Sequence, residues 1–65
     1  MKETCIRFNE PTEGVFEAYL VGSFRRAVSR SKWEAMGLLL GWLMEEHEHV
    51  EVIKYEDGVI TVRTT

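Results

Sequence analysis

The sequence predicts an α+β fold in which one helix packs on a single antiparallel sheet, in the order β-β-β-α-β-β. Four short segments alternate apolar and polar residues, as half-buried strands do, a fifth segment of mixed pattern follows the second of them, and one segment after it has helical spacing. No repeat or linker divides the 65 residues, so residues 1–65 are expected to form one domain. One helix on one sheet is the simplest arrangement that gives these elements a shared core.

The first three strands are predicted from alternation and from the turn formers between them. Residues 4–8 carry β-favouring side chains, and residues 9–14 are a cluster of turn formers that predicts a loop. Residues 15–21 alternate again until Gly22-Ser23 interrupts the pattern. The mixed pattern of residues 24–28 is interpreted as a short third strand.

The helix is predicted to begin at Ser31 and to run to about Glu48. Ser31 and Glu34 have the spacing of a capping box, in which each side chain accepts a hydrogen bond from the other residue's backbone N–H. Ala35, Leu38 and Trp42 are expected on the face away from the sheet. At about 100° per residue, five apolar residues converge on the stripe predicted to pack on the sheet: Trp33, Met36, Leu40, Leu43 and Met44.

Two glycines one helical turn apart, Gly37 and Gly41, need an explanation, because each costs about 1 kcal/mol relative to alanine inside a helix. Small residues at this spacing let another backbone approach closely. Tight packing of the helix on its own sheet is the favoured interpretation. Pairing with a second helix in a dimer is the alternative.

The last two strands form a predicted hairpin. Residues 50–55 switch to β-branched alternation, and residues 59–63 repeat it. Between them, Glu56-Asp57-Gly58 indicates a tight turn, because Asp-Gly tolerates the positive φ angles that a two-residue hairpin loop requires.

Composition excludes several classes of protein. Eleven acidic residues against eight basic ones give a net charge of −3, which disfavours a general nucleic-acid binder held by phosphate contacts. The hydrophobic content of 45% is too high for a disordered acidic tail. The longest apolar run, residues 36–44, is about half the length of a membrane span, so no membrane association is expected.

The single cysteine, Cys5, cannot form an intramolecular disulfide, which favours a reducing, cytoplasmic setting. The first residues lack the apolar segment of a signal peptide, so no export is expected. His47 and His49 are too few and too badly spaced for a structural metal site. The sequence thus predicts no metal, no cofactor and no catalytic residue, and the chain is expected not to be an enzyme.

Two sets of exposed residues are candidate binding sites. The first set combines two apolar helix residues that should face solvent with carboxylates at and beyond the helix end, where the macrodipole disfavours them. Its members are Leu38, Trp42, Glu45, Glu46, Glu48 and Glu51. The second set is an alternative, nucleic-acid-binding group of cations before the helix: Arg25, Arg26, Arg30 and Lys32.

One stretch of the chain, residues 14–39, resembles HicB-type antitoxins. Gly14-Val15-Phe16-Glu17-Ala18-Tyr19 is similar to the family's second strand. Farther on, Ser29 stands at a family glycine, Ser31 at the capping threonine and Glu34-Ala35 at the family's Glu-Ala pair. The resemblance implies a β-β-β-α-β sheet domain that neutralises a partner protein by covering it and often dimerises.

The chain departs from this family in two places. Val21-Gly22-Ser23 replaces the family's loop of proline and glycine, and the predicted hairpin is not followed by a DNA-binding segment. Operator binding is therefore not expected.

Three functions follow as hypotheses. The first is a non-enzymatic inhibitor, antitoxin-like or phage-type such as an anti-CRISPR protein, that uses its acidic surface to bind a basic partner: a nuclease, a toxin or a nucleic-acid-binding complex. The second is a small nucleic-acid-binding module that uses the four cations. The third is a structural homo-oligomer, such as a homodimer, held by the face of Gly37 and Gly41.

Overall fold

The computed structural model describes residues 2–65 as five strands and one helix. The five strands form one antiparallel sheet in the order β3-β2-β1-β5-β4. This arrangement confirms the predicted α+β class and the order β-β-β-α-β-β along the chain. The order of the strands within the sheet was not predicted from the sequence. The elements are β1 (Lys2–Thr12), β2 (Val15–Leu20), β3 (Arg26–Ser29), α1 (Lys32–Glu46), β4 (Val50–Glu56) and β5 (Val59–Thr64).

The first hairpin is longer than predicted. The predicted loop is wrong over Asn9 to Thr12, because β1 continues to Thr12 and pairs there with Val15. The register shifts between Asn9 and Thr12, and this irregular stretch accommodates Pro11, which has no N–H to donate. Only residues 13–14 remain as the turn.

The predicted turn of the second hairpin is confirmed. Asp57 and Gly58 both have positive φ, 53° and 73°, as a two-residue turn of this kind requires. Within β4 the register with β5 shifts by one residue between Val52 and Lys54, so Ile53 is an extra residue at a β-bulge.

The helix begins at its predicted cap. The Ser31 hydroxyl accepts a hydrogen bond of 3.4 Å from the Glu34 N–H. The second half of the predicted capping box is absent, because the Ser31 N–H donates to the Ser29 hydroxyl instead, at 3.3 Å. The helix ends at Glu46, two residues earlier than predicted, because the backbone becomes extended at His47 on its way into β4.

The core lies between α1 and one face of the sheet. The helix lies against β2 and β3, whose residues on this face include the small, buried Ala18 and Ala27. Small side chains there leave room for larger ones from the helix. The buried apolar residues are Ile6, Ala18, Leu20, Ala27, Ala35, Leu39, Leu43, Ile60 and Val62.

The helix face that packs on the sheet differs from the predicted stripe. Ala35, expected to face away, is fully buried, whereas Trp33 and Met44 are 54% and 62% exposed. Leu43 is buried as predicted, and Leu39 lies in the core beside it. The prediction was wrong because apolar residues surround almost the whole helix, and the small residues of β2 and β3 select the face around Ala35.

The two helix glycines do not pack on the sheet. Both are exposed, and a Cβ added at Gly37 or Gly41 would meet no atom within 4 Å. The favoured explanation, tight packing of helix on sheet, is therefore wrong.

Residues 2–65 contain no helix with both the length and the apolar character to cross a bilayer; α1 has 15 residues.

Candidate protein interface

Leu38 and Trp42 project together from α1 beside the edge strand β3. They lie one helical turn apart and are 52% and 43% exposed. The groove that they form with β3 is lined by Arg26, Ala27, Leu38, Gly41, Trp42 and Glu45. The structure thus places three of the six predicted partner-binding residues, Leu38, Trp42 and Glu45, around one groove.

A third large apolar side chain, Phe24, lies next to this groove. Phe24 belongs to the loop between β2 and β3, residues 21–25, and is 98% exposed. The loop is ordered by a Ser23 N–H that donates to the Leu20 carbonyl and by a Ser23 hydroxyl that accepts from the Arg25 N–H, both at 3.2 Å. Phe24 and Trp42 line the same surface depression.

Arg25 connects the loop to the helix. Its guanidinium carbon lies 5.3 Å from the centre of the Trp42 ring, and the guanidinium forms an ion pair with Glu46. Arginine stacked on an aromatic face is favourable, and the added ion pair restricts the position of both side chains. These two contacts restrict the position of the Trp42 ring at the surface. The Trp42 surface is defined here as Phe24, Arg25, Arg26, Leu38, Trp42 and Glu45.

The predicted acidic residues divide into two groups. Glu45, Glu46 and Glu48 lie at or just beyond the C-terminal end of α1, and all three are exposed. Glu51 lies on β4, at the opposite edge of the sheet from β3, and pairs in register with Arg63. The structure therefore brings three of these four carboxylates to the helix end and separates Glu51 from them.

The predicted basic residues do not form one continuous patch. Arg25 is paired with Glu46, and the Arg26 guanidinium donates to the Glu17 carboxylate at 2.9 Å. Lys32 lies at the start of the helix, close to the rings of Phe8, Trp33 and Tyr55, and Arg30 is exposed between β3 and α1. Neighbours in sequence are thus distributed over a loop, an edge strand and a helix start.

No group of three or more His, Cys, Asp or Glu side chains within residues 2–65 is placed to hold a metal ion. His47 is half-buried at the helix end, and His49 is exposed. Cys5 is a half-buried free thiol.

Sequence reasoning missed Phe24 and the contact between Arg25 and Trp42. The only sequence signal for Phe24 is its position directly after the turn formers Gly22-Ser23. The Arg25 contact joins a loop to the far end of a helix and has no local signature. Comparisons with protein-family models, with curated proteins and with solved structures found no match to this chain.

Proposed function

We propose that this protein is a non-enzymatic inhibitor that binds a protein partner through the Trp42 surface. The observation that carries the proposal is the arrangement of three exposed apolar side chains, Phe24, Leu38 and Trp42: Trp42 lines one depression with Phe24 and the adjoining groove with Leu38. Exposed aromatic side chains in fixed positions are typical interface anchors, because they bury a large area at a small cost in conformational entropy.

The charges beside these anchors favour a basic partner. Glu45 borders the groove and Glu48 lies beyond the end of α1, and neither forms an ion pair within residues 2–65. The two arginines of the surface, Arg25 and Arg26, are each paired with a carboxylate. Together with the net charge of −3, Glu45 and Glu48 attract positively charged surfaces over the range of a Debye length. A nuclease, a toxin or another nucleic-acid-handling protein presents such a surface where it binds phosphates.

Binding of this protein would inhibit such a partner because it would cover the partner's nucleic-acid-binding surface. A protein that occupies the basic surface of a nuclease excludes the nucleic-acid substrate from the same place. An antitoxin and a phage-encoded inhibitor would both act in this way, through the same residues. The two differ in the target that is bound.

The proposal is tested by capture of the target followed by an activity assay. The tagged wild-type chain, Trp42→Ala and Phe24→Ala are used to capture proteins from host lysate. Trp33→Ala is the matched control, because Trp33 is a similarly exposed tryptophan of the same helix but lies outside the Trp42 surface. The captured protein is then purified and its nuclease or nucleic-acid-binding activity is measured with each variant.

We expect the wild type and Trp33→Ala to retain and inhibit the same target, and Trp42→Ala and Phe24→Ala to lose both properties. A target that all four chains retain equally would place the interface elsewhere. Recovery of nucleic acid without protein would refute the proposal.

A further inference from the structure

The strand β4 is the longer exposed edge of the sheet. It has seven residues, of which all except Val50 are exposed, whereas the opposite edge strand β3 has four residues. An edge strand presents backbone N–H and C=O groups that no neighbouring strand satisfies, and these groups can pair with another chain.

The register with β5 assigns the β4 side chains to the two faces of the sheet. Three apolar residues lie opposite buried residues of β5, and therefore on the helix side: Val50, Val52 and Tyr55. Three charged residues lie opposite the alternate, half-buried residues of β5, and therefore on the far side: Glu51, Lys54 and Glu56. The bulge at Ile53 adds one residue between these two halves of the strand.

The bulge makes the two halves of β4 equivalent. Toward the N-terminus from the Val52–Ile53 bond, the strand has the apolar Val52, the charged Glu51 and the apolar Val50. Toward the C-terminus from the same bond, it has the apolar Ile53, the charged Lys54 and the apolar Tyr55. The two charged residues lie on the same face of the sheet and have opposite signs.

We infer that a second copy of this chain pairs with β4 antiparallel, about a two-fold axis at the Val52–Ile53 bond. Glu51 then lies opposite Lys54 of the partner subunit, and Val50 lies opposite Tyr55 of the partner subunit. The symmetry generates each contact twice. In a regular strand, positions 51 and 54 would lie on opposite faces; the extra residue brings them to one face, where they can meet.

The charges of β4 favour this register of pairing over a register shifted by two residues. A shift of the pairing by two residues would place Glu51 opposite Glu56 of the partner subunit, and like charges directly opposite each other are destabilising. Within residues 2–65 Glu51 forms no ion pair, and the neighbouring Arg63 is paired with Glu3 at 3.4 Å. Glu51 is therefore available to a partner subunit. Lys54 pairs with Glu56 of its own strand at 3.5 Å, but both side chains are exposed, so that the Lys54 ammonium can also approach a carboxylate of a second copy.

The pairing gives a ten-stranded sheet with the two β3 edges at its ends. Each Trp42 surface lies at β3, and the dimer therefore leaves both of them free. The inference does not depend on the proposed function, but a dimer of this kind would carry two binding surfaces facing away from the shared axis.

Sedimentation equilibrium of the whole chain tests the inference. The chains compared are the wild type, Glu51→Lys, Lys54→Glu and the double charge swap of both residues. Glu13→Lys and Arg30→Glu are the controls, because they make the same charge changes at exposed positions outside β4. Backbone hydrogen exchange of β4 is measured at low and high protein concentration.

We expect a wild-type dimer whose β4 amides exchange more slowly as concentration rises. Each single substitution replaces two attractive contacts by two repulsive ones, so the dissociation constant should rise roughly tenfold or more. The double swap restores opposite charges and should recover the wild-type value, and the controls should leave it unchanged. A wild-type monomer, or a dimer insensitive to the single substitutions, would overturn the inference.

Discussion

The Lys32 ammonium group donates a hydrogen bond of 3.2 Å to the Tyr55 hydroxyl and so connects the first turn of α1 to the end of β4. The same ammonium lies 4.7 Å, 5.6 Å and 5.8 Å from the ring centres of Phe8, Trp33 and Tyr55. The Trp33 and Tyr55 rings meet edge to face at 5.7 Å. A cation at a helix N-terminus is disfavoured by the macrodipole, and these aromatic contacts offset that cost.

Replacement of Lys32 by methionine should therefore destabilise the fold, although the change removes an unfavourable charge from the helix start. We expect a loss of about 0.5–1 kcal/mol in the free energy of unfolding, because the cation–π contacts and the hydrogen bond disappear. Methionine keeps an unbranched side chain of similar length, so that little packing is lost. Urea unfolding measures the effect. Lys32→Arg keeps the cation and should lose less, and Arg30→Met is a control for charge removal at a nearby exposed position. Equal stability of Lys32→Met and the wild type would mean that the contacts of the Lys32 ammonium with the three aromatic rings contribute nothing to the stability of the fold.

The sequence predicts the elements of this fold better than their ends and faces. Alternation and turn formers are local, so the five strands, the helix cap at Ser31 and the Asp57-Gly58 turn could all be predicted. The extension of β1 to Thr12 depends on pairing with Val15, which the turn formers around Pro11 concealed. The strand order depends on contacts between distant segments and has no local signal.

The candidate site was only partly predictable for the same reason. Helical spacing put Leu38 and Trp42 on one face, and both are exposed in the structure. Spacing could not reveal that Phe24 lies beside them or that Arg25 stacks on Trp42, because both contacts cross from the loop to the helix.

The rotation of α1 relative to the predicted stripe can be tested through stability. Leu39 is fully buried and fills the space above the sheet, so Leu39→Ala should destabilise the fold by about 2–5 kcal/mol. Met44 is mostly exposed, so Met44→Ala should change stability by less than about 0.5 kcal/mol. Chemical denaturation of both variants gives the two values. A larger loss for Met44→Ala than for Leu39→Ala would support the sequence-predicted stripe instead.

The two helix glycines should be replaceable, because a Cβ at Gly37 or Gly41 meets open space. Alanine in a helix interior is favoured over glycine by about 1 kcal/mol, so each Gly→Ala change should raise the free energy of unfolding by up to that amount. Gly14→Ala is the contrasting variant: Gly14 has a φ of +80°, which alanine rarely adopts, and its replacement should destabilise the fold. Thermal unfolding distinguishes these outcomes. Destabilisation by Gly37→Ala or Gly41→Ala at a concentration where the chain self-associates would indicate that another helix contacts this face.

Direct binding to nucleic acid is expected to be weak, because carboxylates already pair with two of the four cations that precede the helix in sequence. Arg25 is paired with Glu46 and Arg26 with Glu17, so a phosphate would have to displace both carboxylates. Fluorescence anisotropy with labelled single- and double-stranded DNA, at about 50 and 200 mM salt, measures any binding and its salt dependence. We expect little binding at either salt concentration, and little difference between the wild type and the variant that combines Arg25→Ala with Arg26→Ala. Tight, strongly salt-dependent binding that this double variant abolishes would instead favour the nucleic-acid-binding module, with the loop and β3 as its contact surface.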